Sequence, residues 1–214
     1  MLLGLDEPWL AKTAKLNIKK GDVIYDVGAH VGYTSLLFAK YSGKGGVVHA
    51  FELLPNVAHD FLTKTVDRNH LEKRIIIHPV GLSDTQKTVN IVIGDTMMGN
   101  FYTKESNSSS TVLCRVETLD NYQKEHQLPI PQFIKVDIET AENDFIRGAE
   151  QLIRRHKPIL LIEFHNLDLL KEGFAMLEAM NYEIKEKKGK LTAGRIENFR
   201  SFYGSVLATP ILQE

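Results

Sequence analysis

Cysteine is almost missing from this chain. Cys114 is the only one, which excludes an intrachain disulfide and a thiolate metal cluster. A reducing compartment fits that usage, and a cytoplasmic location is expected. Excess charge is missing too. The formal net charge is −1, so nothing draws the chain as a whole to nucleic acid or to a membrane surface, and neither is expected as a partner. A local basic run at Lys187, Lys188 and Lys190 reads as the solvated face of a hairpin. No apolar run reaches bilayer length, and no basic segment with an apolar core stands at the N-terminus. Neither a membrane span nor a signal peptide is therefore expected. Repeats are absent, and the one biased stretch, Ser106 to Thr111, reads as a loop tip.

What is present suits one globular domain over residues 1–214. Apolar residues make up 43% and charged residues 25%, enough for a single large core. Strand-like and helix-like segments alternate. "DVIYDVGA", "GVVHAFEL", "RIIIHPVGLSD", "QFIKVDIE" and "PILLIEFH" read as five strands in turn. Pro55 suits the first turn of a helix with Ala58, Leu62 and Val66 on one face. After the fourth strand a single helix is expected, with Phe145, Ala149, Leu152 and Ile153 on one stripe and Pro158 at its end. Leu167, Leu170, Phe174 and Leu177 mark the core face of the next. "TVNIVIG" and "TVLCRVETL" form a β-rich insertion over 88–118, and "YEIKEKKGKLTAG" with "FYGSVLATP" an antiparallel pair at one edge. The expected fold is α/β and Rossmann-like: a mostly parallel sheet with helices on both faces. In such sheets ligands sit beyond the carboxyl ends of the strands.

The first strand ends in Asp26-Val-Gly28-Ala-His30-Val-Gly32. A pyrophosphate site needs G-x-G-x-x-G, and this is G-x-x-x-G; "GKGG" at 43–46 is no phosphate loop either. The second strand ends at Glu52, where an acid can accept hydrogen bonds from ribose hydroxyls, with Leu53 beside it. A glycine turn and a ribose acid without a phosphate cradle describe a nucleoside ligand such as S-adenosylmethionine. His30 is then tolerable beside the turn, and Asp26 is available to the cofactor's amine.

With these segments and "VETLDNY", "FIKVDIETAENDFIRGA" and "ILLIEFH" in order, the sequence resembles class I methyltransferases of the FkbM family from about Gly21 to His165. The pattern Lys135-x-Asp137-x-Glu139-x-x-Glu142 carries the resemblance furthest. It implies methyl transfer from S-adenosylmethionine to a hydroxyl of a sugar or small molecule; some relatives methylate peptide nitrogen. It also implies that Asp26, Gly28, His30 and Gly32 line the cofactor turn, that Glu52 holds the ribose, and that Ser83 and Asp84 lie beside adenine. Two departures are visible. Thr140 stands where relatives have glycine, and only about twenty residues precede the first strand, so the pocket is expected to be open or closed by another subunit.

The fourth strand is unusual in its own right. Alternation puts Ile134, Val136 and Ile138 on one side and Lys135, Asp137 and Glu139 on the other, and a buried polar row needs partners. Glu163 and His165 of the fifth strand, then Glu142 and Asn143, are candidates. Three readings stay open: a structural network; acid–base work by Asp137 or His165; or a divalent metal such as Mg²⁺ on Asp137 with Glu163, His165 or Asn166, which Lys135 opposes. His78 reads as a core histidine before it reads as a distant base. Met97 and Met98, near Phe101 and Tyr102, offer either an apolar wall for the acceptor or ordinary packing. A nicotinamide oxidoreductase and a non-catalytic nucleoside-binding module are the alternatives from other classes.

Overall fold

Short runs of Val, Ile and Phe bounded by glycine or polar residues make the strands, and amphipathic stretches between them make the helices. The computed structural model describes residues 7–93 and 110–211. Met97, Met98, Phe101, Tyr102 and most of the serine-rich stretch fall outside these residues. Helix α1 (Glu7–Asn17) precedes β1 (Val23–Val27), α2 (Tyr33–Ser42) and β2 (Val47–Phe51). Next come α3 (Pro55–Val57), a π-helical turn (Ala58–Leu62) and α4 (Thr63–Arg68) in unbroken succession. Strands β3 (Ile75–His78), β4 (Gly81–Leu82), β5 (Lys87–Ile93) and β6 (Ser110–Glu117) follow, then α5 (Leu119–Glu125) and β7 (Phe133–Val136). The remainder is α6 (Glu142–Gly148), α7 (Glu150–His156), β8 (Ile159–Phe164), α8 (Leu167–Ala179), β9 (Tyr182–Glu186), β10 (Gly189–Lys190), α9 (Ala193–Glu197) and β11 (Gly204–Pro210).

The main sheet runs β10-β9-β11-β8-β7-β1-β2-β3. Its five strands β3, β2, β1, β7 and β8 are mutually parallel, while β11 is antiparallel to both β8 and β9. The late antiparallel elements therefore sit toward one edge, but β11 is internal and the β9–β10 hairpin forms the rim. The chain order reverses between β1 and β7, and the crevice of an α/β sheet opens at such a switch point.

Strand side chains alternate between two cores. Tyr25, Val27, Ile134, Val136 and Ile162 face α5 to α9, whereas Ile24, Val48, Phe133 and Leu161 face α1, α2 and α4. Ala58, Leu62 and Val66 are buried as their spacing required, as are Leu170, Phe174 and Leu177. The β-rich insertion is not an extension of the main sheet. Strands β4, β6 and β5 form a separate three-stranded sheet over a small core of Leu54, Val57, Ile91 and Cys114. No helix among the described residues is long and apolar enough to cross a membrane.

The helix expected after the fourth strand is two helices. Phe145, Ala149, Leu152 and Ile153 are all buried, yet the chain breaks at Ala149, with φ −113° and ψ 8°. Asp120 caps the second piece, accepting from the N–H groups of Gln151 and Leu152 at 2.9 and 2.8 Å. Gly148 makes the break compact. A Cβ there would lie 1.9 Å from the carbonyl oxygen of Ser83, so α6 packs directly on backbone. Gly148→Ala is expected to destabilise by about 1–3 kcal/mol, because a rigid carbonyl must move. That corresponds to a fall in Tm of roughly 2–12 °C. An unchanged melting curve by circular dichroism would contradict the close approach.

Candidate active site

Three strand ends build the site. After β1 the chain turns through Gly28, at φ 78°, where a Cβ would meet the Asp137 carbonyl oxygen at 1.9 Å. Only glycine lets the ends of β1 and β7 come so close. His30 follows at φ 50°, and this answers why it stands in a glycine-like place. The turn needs a left-handed residue, histidine is among the side chains that visit that region, and its ring is exposed. Gly32, at φ 92°, packs against Leu62 and opens α2; it does not reach the cavity.

Glu52 closes the second strand end. It is 7% exposed and receives the N–H of His30 at 2.8 Å and of Leu54 at 3.0 Å, one on each carboxylate oxygen. Burial pushes its pKa up, and those two hydrogen bonds pull it back. A carboxylate has about four acceptor directions, so two stay available to a ligand. A cavity of about 250 Å³ opens here. Gly28, His30, Glu52, Asp137 and Glu139 are its polar edge; Leu53, Leu54, Val80, Leu82 and Ile91 are its apolar wall. Ser83 and Asp84 do not line it. The chain crosses the wall at Val80–Leu82 and then leaves, with the Ser83 carbonyl turned to Gly148. Ile91, from the separate sheet, was invisible as a wall residue in sequence, since only tertiary packing brings it there.

Asp26, expected near the cofactor's amine directly or through water, stands beneath the turn. It is fully buried, accepts from Thr34 Oγ1 at 2.8 Å and Ser35 Oγ at 2.5 Å, and lies 3.5 Å from Lys135 Nζ. Both hydroxyls meet Oδ2, whereas Oδ1 has no hydrogen-bond partner among the described residues, and Asp26 does not line the cavity. Lys135 sits opposite Asp26 in register, 3% exposed, and donates to the Gly28 carbonyl at 2.8 Å while lying 3.5 Å from Asp137. Burial works against its charge, but Asp137, Asp26 and Glu163 prevail and hold the ammonium above its usual range.

The alternating polar row holds only as far as Lys135, because β7 stops at Val136. Beyond it Glu139 and Thr140 take φ 48° and 76°, and Asp137, Ile138 and Glu139 all line the cavity. Thr140 thus occupies the left-handed conformation that suits glycine, at a cost of order 1–3 kcal/mol. Its N–H is held by Glu142 Oε1 at 3.0 Å. The fully buried Glu142 also meets His165 Nδ1 at 2.6 Å. The other ring nitrogen of His165 lies 3.4 Å from Glu139 and 3.7 Å from Asp137. Burial favours the neutral ring, but the Glu142 hydrogen bond and the charges of Glu142, Glu139 and Asp137 outweigh it and raise the pKa to about 9. Asn143 instead donates to Glu172 at 2.8 Å, and Asn166 caps α8 by accepting from the Leu169 N–H. Tyr203, which no sequence signal marked, stands edge-on to His165 at 5.2 Å, and its nearness to Glu163 helps to offset the effect of burial on that carboxyl.

Asp137, Glu163 and His165 offer donor atoms within 4.8 Å of one another. The charge arrangement fits a metal poorly. Lys135 already neutralises Asp137, and both His165 nitrogens face carboxylates, as protonated nitrogens would. His78 is a core histidine. It bonds His49 at 2.9 Å and the Tyr122 hydroxyl at 3.1 Å, and burial lowers the pKa of both histidines to about 4.

Residues 26–188 match the methyltransferase FkbM domain. No curated protein matches the chain. Among solved structures it is similar to a methyltransferase FkbM from Methylobacillus flagellatus KT, with a TM-score of 0.59 and 22% identity. That likeness covers 88% of this chain but 43% of the other, so the chain spans less than half the length of that relative. It is also similar to the O-methyltransferase from Bacillus cereus in complex with SAH, with a TM-score of 0.58, 16% identity and coverage of 96% and 82%. Fibrillarin from Aeropyrum pernix with natively bound S-adenosyl-L-methionine gives 0.56, 16%, 94% and 74%. The family match spans most of the sheet and every strand end described above, and the chain belongs to the FkbM methyltransferase domain family.

Proposed function

We propose that this S-adenosylmethionine-dependent methyltransferase methylates a hydroxyl of a small-molecule or sugar acceptor, with Asp137 receiving the proton that the hydroxyl loses. When bound, S-adenosylmethionine supplies a methyl group on a sulfonium, open to in-line displacement. The chain's residues fit such a ligand. Glu52 is oriented by two backbone N–H groups and keeps acceptor capacity for ribose hydroxyls. The wall of Leu53, Leu54, Val80, Leu82 and Ile91 suits a purine ring. Gly28 leaves no side chain between the turn and the cavity floor.

One observation carries the reading: Asp137 borders both the cavity and the His165 cluster. Its side chain is 35% exposed and that of Glu139 49%, against 0% for Asp26 and Glu142, so Asp137 and Glu139 are the two of these acids within reach of an acceptor. Among the described residues Asp26, Asp137, Glu139, Glu142 and Glu163 face two cations, Lys135 and His165, and this excess of negative charge favours a cationic ligand and the positive charge that grows on an attacking hydroxyl. His165 already holds a proton at neutral pH, and of the two cavity acids we assign the next proton to Asp137, which Lys135 fixes in place at 3.5 Å. Alignment of the two reactants contributes ~7–11 kcal/mol to such a displacement, and a positioned base ~10²–10⁴-fold.

Incubation with methyl-labelled cofactor and small-molecule extracts, followed by mass spectrometry, tests the proposal. A labelled methoxy product is expected; an N-methyl product would overturn the hydroxyl assignment. In the same assay Asp137→Asn is expected to lower turnover by ~10²–10⁴-fold with little change in adenosylhomocysteine affinity, and full retained turnover would remove Asp137 from the reaction. Glu52→Ala is expected to weaken adenosylhomocysteine binding by about 10-fold or more in calorimetry, since two charge-assisted hydrogen bonds are lost; unchanged affinity would end the ribose assignment.

A pH experiment isolates the His165 cluster. The folded pKa of about 9 lies above the ordinary 6.5, so protonated His165 contributes stability in full below pH 6.5, and that contribution is lost as pH rises through 9. The stability gap between the native protein and His165→Gln, from urea midpoints, is expected to be widest near pH 6 and to narrow steadily toward alkaline pH. A gap independent of pH would show that the carboxylates do not hold the proton.

A further inference from the structure

A second, larger recess lies beside the reacting cluster. It is a groove of about 520 Å³ between the β9–β10 hairpin, α9 and the start of β11. Its carboxyl-edge location follows from register, since Gly204 and Ser205 pair with Phe164 and Glu163 of β8. Tyr203 forms the boundary: it lines the groove while its ring stands edge-on to His165 at 5.2 Å.

The groove's charge is uneven. Glu186 is its one acid, and Arg195 neutralises it while also donating to the Lys190 carbonyl at 2.7 Å. In the basic run, Lys190 is paired with Glu183, outside the groove. Lys187 and Lys188 line the groove, and among the described residues neither side chain has an ion-pair partner. All three lysines are exposed on the β9–β10 hairpin, the solvated face that the composition suggested, and two of them also border the groove. Ser205 gives an independent sign of a missing ligand. It is 6% exposed, lines the groove, and its hydroxyl has no hydrogen-bond partner among the described residues. A buried hydroxyl left unpaired costs about 1–3 kcal/mol, which a polar ligand group would recover. Phe199 and Phe202, stacked 5.8 Å apart at 11°, add a flat apolar side.

We propose that this groove is the acceptor site and that the acceptor carries an anionic group, a phosphate or a carboxylate. Lys187, Lys188 and Ser205 hold that group, Phe199 and Phe202 flank the body of the molecule, and the reacting hydroxyl extends past Tyr203 toward Asp137. Positive charge at one end and the acidic cluster at the other fix which end of the acceptor enters first. This assignment rests on the methyl-transfer reading only for the identity of the reacting group; the anion site stands on the groove itself.

Two measurements separate these. Inorganic phosphate and, in a parallel arm, acetate are titrated into isotope-labelled protein and followed by amide shifts. Saturable shifts at Lys187, Lys188, Gly204 and Ser205 are expected with at least one anion, and the preferred one identifies the group. They are expected to vanish in the double variant Lys187→Glu/Lys188→Glu and to need about 5-fold more anion in Ser205→Ala. Adenosylhomocysteine affinity checks that each variant is folded. No saturable shift with either anion, or shifts that the double variant leaves intact, would overturn the groove. In the second measurement the labelled methyl product is passed over an anion exchanger. Retention of the product, and a KM for its acceptor raised at least about 10-fold in the double variant with kcat little changed, is expected. An uncharged product or an unchanged KM would overturn the assignment, whereas phosphate-induced shifts without any labelled product would sink the methyl-transfer reading and leave the anion site standing.

Discussion

The buried ammonium of Lys135 is the interaction on which the site depends. It stands where β1 and β7 come together, bonded to the Gly28 carbonyl and flanked by Asp26 and Asp137. An isolated ammonium at 3% exposure would be untenable, and two buried or half-buried acids without it would repel each other. Together they tie the glycine turn to Asp137, which lines the cavity. The close approach of Gly28 to the Asp137 carbonyl makes the same junction from the backbone side. A side chain at Gly28 would push apart the strand ends that the ammonium draws together.

Around that junction the charges act in two tiers. Asp26 and Glu142 are sealed from solvent and serve as fixed supports, one for Lys135 and α2, the other for His165 and the Thr140 N–H. Asp137 and Glu139 are the accessible members, at 35% and 49% side-chain exposure. The left-handed pair Glu139–Thr140 is what separates the tiers. By leaving the extended conformation right after Val136, the chain turns successive residues toward one cavity rather than to alternate faces. The local strain is held by Glu142, so the same carboxylate supports both the turn and the histidine.

Much of this was legible in the sequence because it depends on residues near one another in the chain. Near-continuous apolar strands with helical spacing between them implied a parallel sheet with two covered faces, and alternation along β1 and β8 sorts the two cores as expected. The glycine turn and Glu52 were readable as neighbours at one ligand-sized recess because each belongs to one strand end, and Leu53 and His30 line the same cavity. Less legible were features that end an element early. Nothing in "FIKVDIET" signals that the strand stops at Val136, since Ile138 continues the alternation. Nor does the stripe Phe145 to Ile153 signal the break at Ala149, which arises where Gly148 meets a carbonyl far away in the chain.

Composition and pattern by themselves determined the fold class, the strand ends at which the cavity opens, and the acids and glycines that stand there. Each of these follows from side-chain periodicity or from what a particular residue type can do at a strand end. Tertiary structure alone decided the rest. It buried Asp26 and left Asp137 accessible, although both are acids near the ends of adjacent strands. It surrounded His165 with three carboxylates, so the ring carries a proton that its own sequence neighbourhood does not imply. It also brought Tyr203 and Ser205 beside Glu163 across the β8–β11 pairing. The physical reason is that burial and charge are sums over neighbours in space, and those neighbours come from segments far apart in the chain.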